Sequence, residues 1–160
     1  MGAKYPFDEF TLVYLVPTIA NLAAPTLTEL GAGEDITCLL TKDGLNPGAT
    51  SNGIDAAGLC SRVDSQVPGS VGYSFTLRGF RYDTDDDLWD AVSWGAATHV
   101  VVRRGLHVST AFAASQKVEV YKGSFGEKVP APSAANALQT FEVPLFIDAV
   151  ELDASVVAAP

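Results

Sequence analysis

The sequence predicts a mainly β fold, a β-sandwich or β-barrel with one short flanking α-helix and one long loop. Three observations lead there. VGYSFTLRGFRYD (71–83) and QKVEVYKG (116–123) alternate apolar and polar residues with the period of a strand. THVVVRRG (98–105) is a β-branched run closed by glycine. Turn formers recur at short intervals, so strands follow one another closely, as they do in sandwiches and barrels. A chain of 160 residues, 48% apolar, can bury one core, and the span 1–160 reads as a single domain.

Residues 1–34 read as an extended arm, because PTIANLAAPTLTELGAGED is broken by Pro17, Pro25, Gly31 and Gly33. Inside it Thr26 is placed to cap a single helical turn, Glu29 to answer the cap, and Gly31 to stop it. The sandwich core is expected over 35–158. It opens with a short strand, DITCLLT (35–41), ended by the turn signal KDG. LNPGATSNGIDAAG (45–58) holds turn formers and small residues, so a long loop is expected over 42–58. LCSRVDS (59–65) alternates and reads as a strand.

In 71–83, Tyr73, Phe75 and Leu77 share one face and Ser74, Thr76 and Arg78 the other. Gly79 marks a bulge or a close backbone approach. PAPSAAN (130–136) reads as an extended linker. LQTFEVPLFIDAVELDASVVA (138–158) puts Phe141, Val143, Leu145 and Ile147 on one face, with a kink at Asp148 and Ala149 before a last strand over 150–157. Pro144 offers no N–H, which places it at a sheet edge or a bulge.

RYDTDDDLWDAVSWG (81–95) carries the densest charge. Asp83, Asp85 and Asp87 have calcium-loop spacing, but Leu88 stands where that loop needs glycine and Trp94 where it needs glutamate. A catalytic carboxylate pair needs two acids in different environments, which consecutive acids on a polar turn do not supply. The segment reads instead as a helix over 84–94. Thr84 caps it, Asp85, Asp86 and Asp87 sit at the positive end of the helix dipole, and Gly95 ends it. Leu88, Ala91 and Val92 form its apolar face, and Trp89 flanks that stripe, against the sheet or another subunit.

The net charge of −9 and the scatter of ten Lys and Arg argue against a nucleic-acid reader. Cys38 and Cys60 read as two buried free thiols, a disulfide being the alternative. FTLVYLV is too short to span a bilayer, and the N-terminal stretch lacks the flank and cleavage site of a signal peptide. His99 reads as half-buried and His107 as a loop residue, with no third ligand for zinc. Arg103 and Arg104 point to opposite faces and are expected to pair with carboxylates. No catalytic, cofactor-binding or metal-binding residue is expected.

Taken in order, APTLTEL (24–30), DITCLLTKDGLN (35–46), VGYSFTLRGFRYD, DDDLWDAV followed by THVVVRRG, QKVEVYKG and NALQTFEVPLFIDAVELDASVVA (136–158) resemble the major tail tube protein of long non-contractile-tailed bacteriophages, especially those of actinobacterial hosts. The resemblance spans nearly the whole chain. It implies a sandwich whose inner strands close, across a ring usually of six subunits, into a continuous β-barrel. Rings stack into the hollow virion tail through which DNA leaves. It implies no catalytic residue and no cofactor; the partners are other copies, a tape measure protein and a tail terminator. It implies a subunit synthesised in the host bacterial cytoplasm that touches no membrane. The alternative from another class is a ligand-binding β-sandwich, a carbohydrate-binding or virion decoration module, which needs an exposed aromatic platform drawn from Tyr73, Phe75, Trp89 and Trp94.

Overall fold

The computed structural model describes residues 2–132 and 134–159; Met1, Pro160 and Ser133, the last inside the PAPSAAN segment, lie outside them. The strands are β1 (Thr11–Val16), β2 (Glu34–Asp35), β3 (Leu40–Asp55), β4 (Gln66–Phe80), β5 (Ala97–Arg104), β6 (Lys117–Phe125), β7 (Val129–Pro130) and β8 (Thr140–Ser155). Two short helices accompany them, α1 (Leu27–Gly31) and α2 (Asp87–Ala91), with one 3-10 turn at Thr37–Leu39. All eight strands join one antiparallel sheet in the order β2-β1-β5-β6-β8-β4-β3, with β7 added on β8. The sheet is not closed into a barrel: β2 and β3 remain its two ends.

The main core shows how that sheet is shaped. Val13 and Leu15 of β1 and Val100 and Val102 of β5 pack in one cluster with Phe75 and Leu77 of β4 and Phe141, Val143 and Leu145 of β8. β1 and β4 are separated by three strands in the hydrogen-bonded order, so the sheet folds over on itself like a sandwich to bring them together. Bulges on the central β6–β8 pair accompany that fold. The register slips between Val118↔Ala154 and Val120↔Glu151, and again between Lys122↔Ala149 and Gly123↔Ile147. A bulge bends its strand and increases the local twist. The expected kink is therefore present, with Asp148 as the additional residue inside one continuous strand rather than a break between two.

A second cluster covers the opposite face: Val16, Val101, Val118, Val120 and Ala154 under Ile19, Leu30 and Val156. Here α1 is fixed by the expected capping box. Glu29 N–H donates to Thr26 Oγ1 at 3.2 Å and Thr26 N–H to Glu29 Oε2 at 2.8 Å. Ala20 N–H also donates to Glu29 Oε1, and these two backbone donors, Thr26 first, hold the Glu29 carboxyl below its ordinary pKa.

Several expectations are corrected. The first 34 residues are not an arm throughout, because β1 is an interior strand between β2 and β5. Leu12, Val13, Leu15 and Val16 are buried, and a strand covered on both faces shows no alternation to read. The strand expected over 35–41 is interrupted: Asp35 ends β2, Ile36 is buried, Thr37–Leu39 form the 3-10 turn, and Leu40 and Thr41 begin β3. The long loop over 42–58 is mostly β3. Its KDG signal makes a local excursion, since Leu40↔Gly79 is followed by Leu45↔Leu77. Residues 59–65 are not a strand but the turn joining β3 to β4. Both thiols, read as buried, are exposed.

Pro144 is in neither an edge strand nor a bulge. β8 lies between β6 and β4, and Gly126 N–H donates to Pro144 O where β6 has already ended. The missing N–H thus faces the gap between β6 and β7. Gly79 is a close approach: a Cβ there would lie 2.6 Å from Leu88 Cδ2 and 3.0 Å from Phe141. The helix expected over 84–94 shrinks to α2, capped at Asp86 without a side-chain bond, while the Thr84 hydroxyl turns to Asp83.

Two measurements check this arrangement. A Cβ on Gly123 would run into the backbone oxygen of Phe146. Gly123→Ala should therefore cost at least ~1–3 kcal/mol, read as a lowered denaturation midpoint, whereas Gly31→Ala, which meets nothing, should not. Both cysteines of the unassembled subunit should react with a chromogenic disulfide reagent in native buffer as completely as in denaturant.

Candidate functional site

The backbone groups that lack partners lie along one edge of the sheet. β3 is a 16-residue strand paired on one side only, with β4. β4 in turn leaves β8 at the Ser74↔Phe146 pair, so from Ala49↔Tyr73 to Asp55↔Gln66 the two strands form a ribbon that pairs with no other strand. From Leu45 to Asp55 the hairpin advances roughly 33 Å at about 3.3 Å per residue. Tyr73 is 41% exposed, Val71 49%, Val67 48%, Ile54 56% and Leu59, at the turn, fully so. An isolated two-stranded ribbon is marginal in water, and apolar side chains on both of its faces make it more so.

Other exposed apolar groups lie at the N-terminal stretch, Tyr5 and Phe7, and on β8, Phe146 and Leu152. The net charge is −9. No cluster of His, Cys, Asp and Glu that could hold a metal is present among the described residues. No helix there is long and apolar enough to cross a membrane.

The acidic segment is spent on local structure. Arg81 Nε donates to Asp86 Oδ2 at 2.6 Å, and its guanidinium lies 3.7 Å from the Trp89 ring centre. Lys128 Nζ approaches the same ring from 4.2 Å. Trp89 meets Phe141 edge to face at 5.0 Å, so it packs on the core as one of its two expected placements required. Asp83, Asp85 and Asp87 are exposed and converge on nothing. The aromatic platform of a glycan binder is not assembled either. Phe75 is buried, Trp89 faces inward, Tyr73 stands on the ribbon and Trp94 projects from the turn after α2.

Comparison with known proteins fits an assembling β-subunit. A family model described as phage tail tube protein matches residues 2–160. The chain belongs to the phage tail tube protein family. A solved structure, the baseplate of the anti-feeding prophage, has a chain with the same fold: TM-score 0.55 at 12% identity, over 94% of this chain and 96% of that one. No curated protein sequence matches significantly.

Members of this family are structural components of the virion, not enzymes, and the remaining polar groups of this tail tube protein suit a scaffold. Arg104 forms the expected pair with a carboxylate, Glu119, at 3.0 Å. Arg103 does not. It is fully buried, donates to Gln116 Oε1 and the His107 carbonyl, and lies over Phe112. Its charge anchors the 106–115 loop across the second face of the sheet. His107 is exposed, its Nδ1 2.7 Å from Ser109 Oγ. The ribbon is what sequence reasoning missed. Pro47, Gly48, Asn52 and Gly53 signal turns, yet cross-strand pairing through Ala49↔Tyr73, Ser51↔Val71 and Ile54↔Val67 overrides them.

His99 is more buried than expected, 7% exposed, and neither ring nitrogen has a hydrogen-bond partner. Burial, and then the charge of Lys122, lower its pKa against the weaker pull of the Pro17 and Val16 backbone and of Glu29. The unfolded chain therefore binds this proton first as pH falls through about 6.5, and stability drops until the lower folded-state pKa is reached. A His99→Leu variant should be spared that loss. Its melting temperature should gain on the parent chain's between about pH 7 and about pH 5, and a constant difference would remove His99 from the acid response.

Proposed function

We propose that this tail tube protein acts, over its whole length, as one subunit of stacked rings, six subunits to a ring, whose sheets close into a continuous barrel around a genome-conducting lumen. The observation that carries this is the open β3 edge with its projecting ribbon. A long unguarded edge is a template for pairing with another chain, and closure across subunits removes every edge at once. Six subunits agree with the related baseplate, which is described as six-fold symmetrised. A net charge of −9 favours a conduit that does not retain DNA, since basic side chains along a lumen would make phosphate contacts. A tape measure protein and a tail terminator are the other partners that the family resemblance implies.

Electron microscopy of the purified chain should show hollow tubes of stacked rings; a subunit that sediments as a monomer at every concentration would sink the proposal. Removing 42–58 as though it were a loop would also remove Leu45, which packs on the core. A cleaner excision replaces residues 50–72 with Asn-Gly, because Ala49 and Tyr73 pair directly and such a turn joins paired positions. The shortened subunit should keep its melting temperature within a few degrees, about the shift expected from ~1 kcal/mol, yet form no tubes. Normal tubes from it would show that the ribbon has no part in assembly.

A further inference from the structure

Resting on that tube assembly, we infer that the tip of the β3–β4 hairpin of one copy docks into a defined apolar pocket of a neighbouring copy in the tube. Leu59 and Val63 are the anchors, and Arg62 meets the acidic rim formed by Asp8 and Glu9.

The pocket lies where the N-terminal stretch crosses the start of β3. Phe7, Val13, Leu40, Leu45 and Val108 line it, with Cys38 at its wall. Its volume is about 220 Å³. That is below the ~300–1,000 Å³ of clefts built for small-molecule ligands and suits one or two aliphatic side chains. The hairpin tip supplies them: Leu59 is fully exposed, Val63 is 71% exposed, and both stand on a turn held by the Ala56 N–H to Ser65 O and Ser61 N–H to Gly58 O bonds.

Charge favours the same match. Arg62 is exposed and forms no ion pair among the described residues. At the rim, Asp8 is only loosely held by Lys42 at 3.3 Å and Glu9 by His107 at 3.9 Å, all on exposed side chains. Direction decides the partner. β3 starts at the pocket, with Leu40 and Leu45, and ends at the tip, so donor and acceptor occupy opposite ends of one strand. The roughly 33 Å between them forbids contact within a subunit. Opposite ends that complement each other give a heterologous, head-to-tail contact between copies, not an isologous pair.

The two native thiols report on it, since Cys60 adjoins Leu59 and Cys38 lines the pocket. A short bismaleimide, added to tubes of the full chain, should link Cys60 of one copy to Cys38 of the next and give a ladder of oligomers on denaturing gels. Cys38→Ser and Cys60→Ser should each assemble and each lose the ladder. Arg62→Glu should raise the concentration needed for tubes about two- to fivefold, the range of an exposed ion pair, and Glu9→Arg in the same chain should restore it. Imaged tubes that yield no Cys38–Cys60 link, or a ladder that survives Cys38→Ser, would overturn this docking while leaving the tube intact. A chain that never forms tubes overturns the tube assembly and this contact with it.

Discussion

Backbone hydrogen bonding at the ends of an open sheet is the constraint on which this structure turns. The interior strands of the body pair with a neighbour on each side, whereas β3, and β4 from Gln66 to Tyr73, pair on one side only. Water can serve the free side, but an edge this long stays available to any other strand that meets it. The subunit blunts its opposite end with β2, only two residues long, and leaves β3 bare over sixteen. That asymmetry suits a subunit that pairs with neighbours in one direction.

Packing around that edge divides the molecule into a firm body and a projecting limb. The body holds two apolar clusters, one inside the folded-over sheet and one beneath α1 and the 106–115 loop. Glycines set how closely the layers meet: Gly123 lets β6 touch β8 at a bulge, and Gly79 lets Leu88 and Phe141 close over β4. The limb has neither cluster. Its apolar residues face solvent, so its order in an isolated subunit depends on pairing within the ribbon alone.

Charge is placed with the same division. Arg81, Arg103 and Arg104 are each tied to aromatic rings, carboxylates or carbonyls of the body, as is Lys128 to Trp89. Most aspartates remain on the surface, including those that open α2. The acidic run is thus a helix entrance with one strong internal pair, and the rest of its charge contributes to the −9 carried by the whole subunit.

What the sequence by itself determined was a set of elements with a local cause, although alternation also marked 59–65, which is a turn. Alternation located β4, β6 and β8, the β-branched run located β5, and Thr26 with Glu29 wrote out the cap of α1. Family membership was legible too, because it resides in the order of such segments. Tertiary structure alone decided the rest. β1 is covered on both faces and so lacks the period of a half-buried strand. β3 is held by pairing with β4 against its own turn formers, and Cys38 and Cys60 are exposed because their segments became turns. The physical reason is common to the two strands: in β1 and β3 the partner across the sheet, far away in sequence, outweighs the neighbours along the chain.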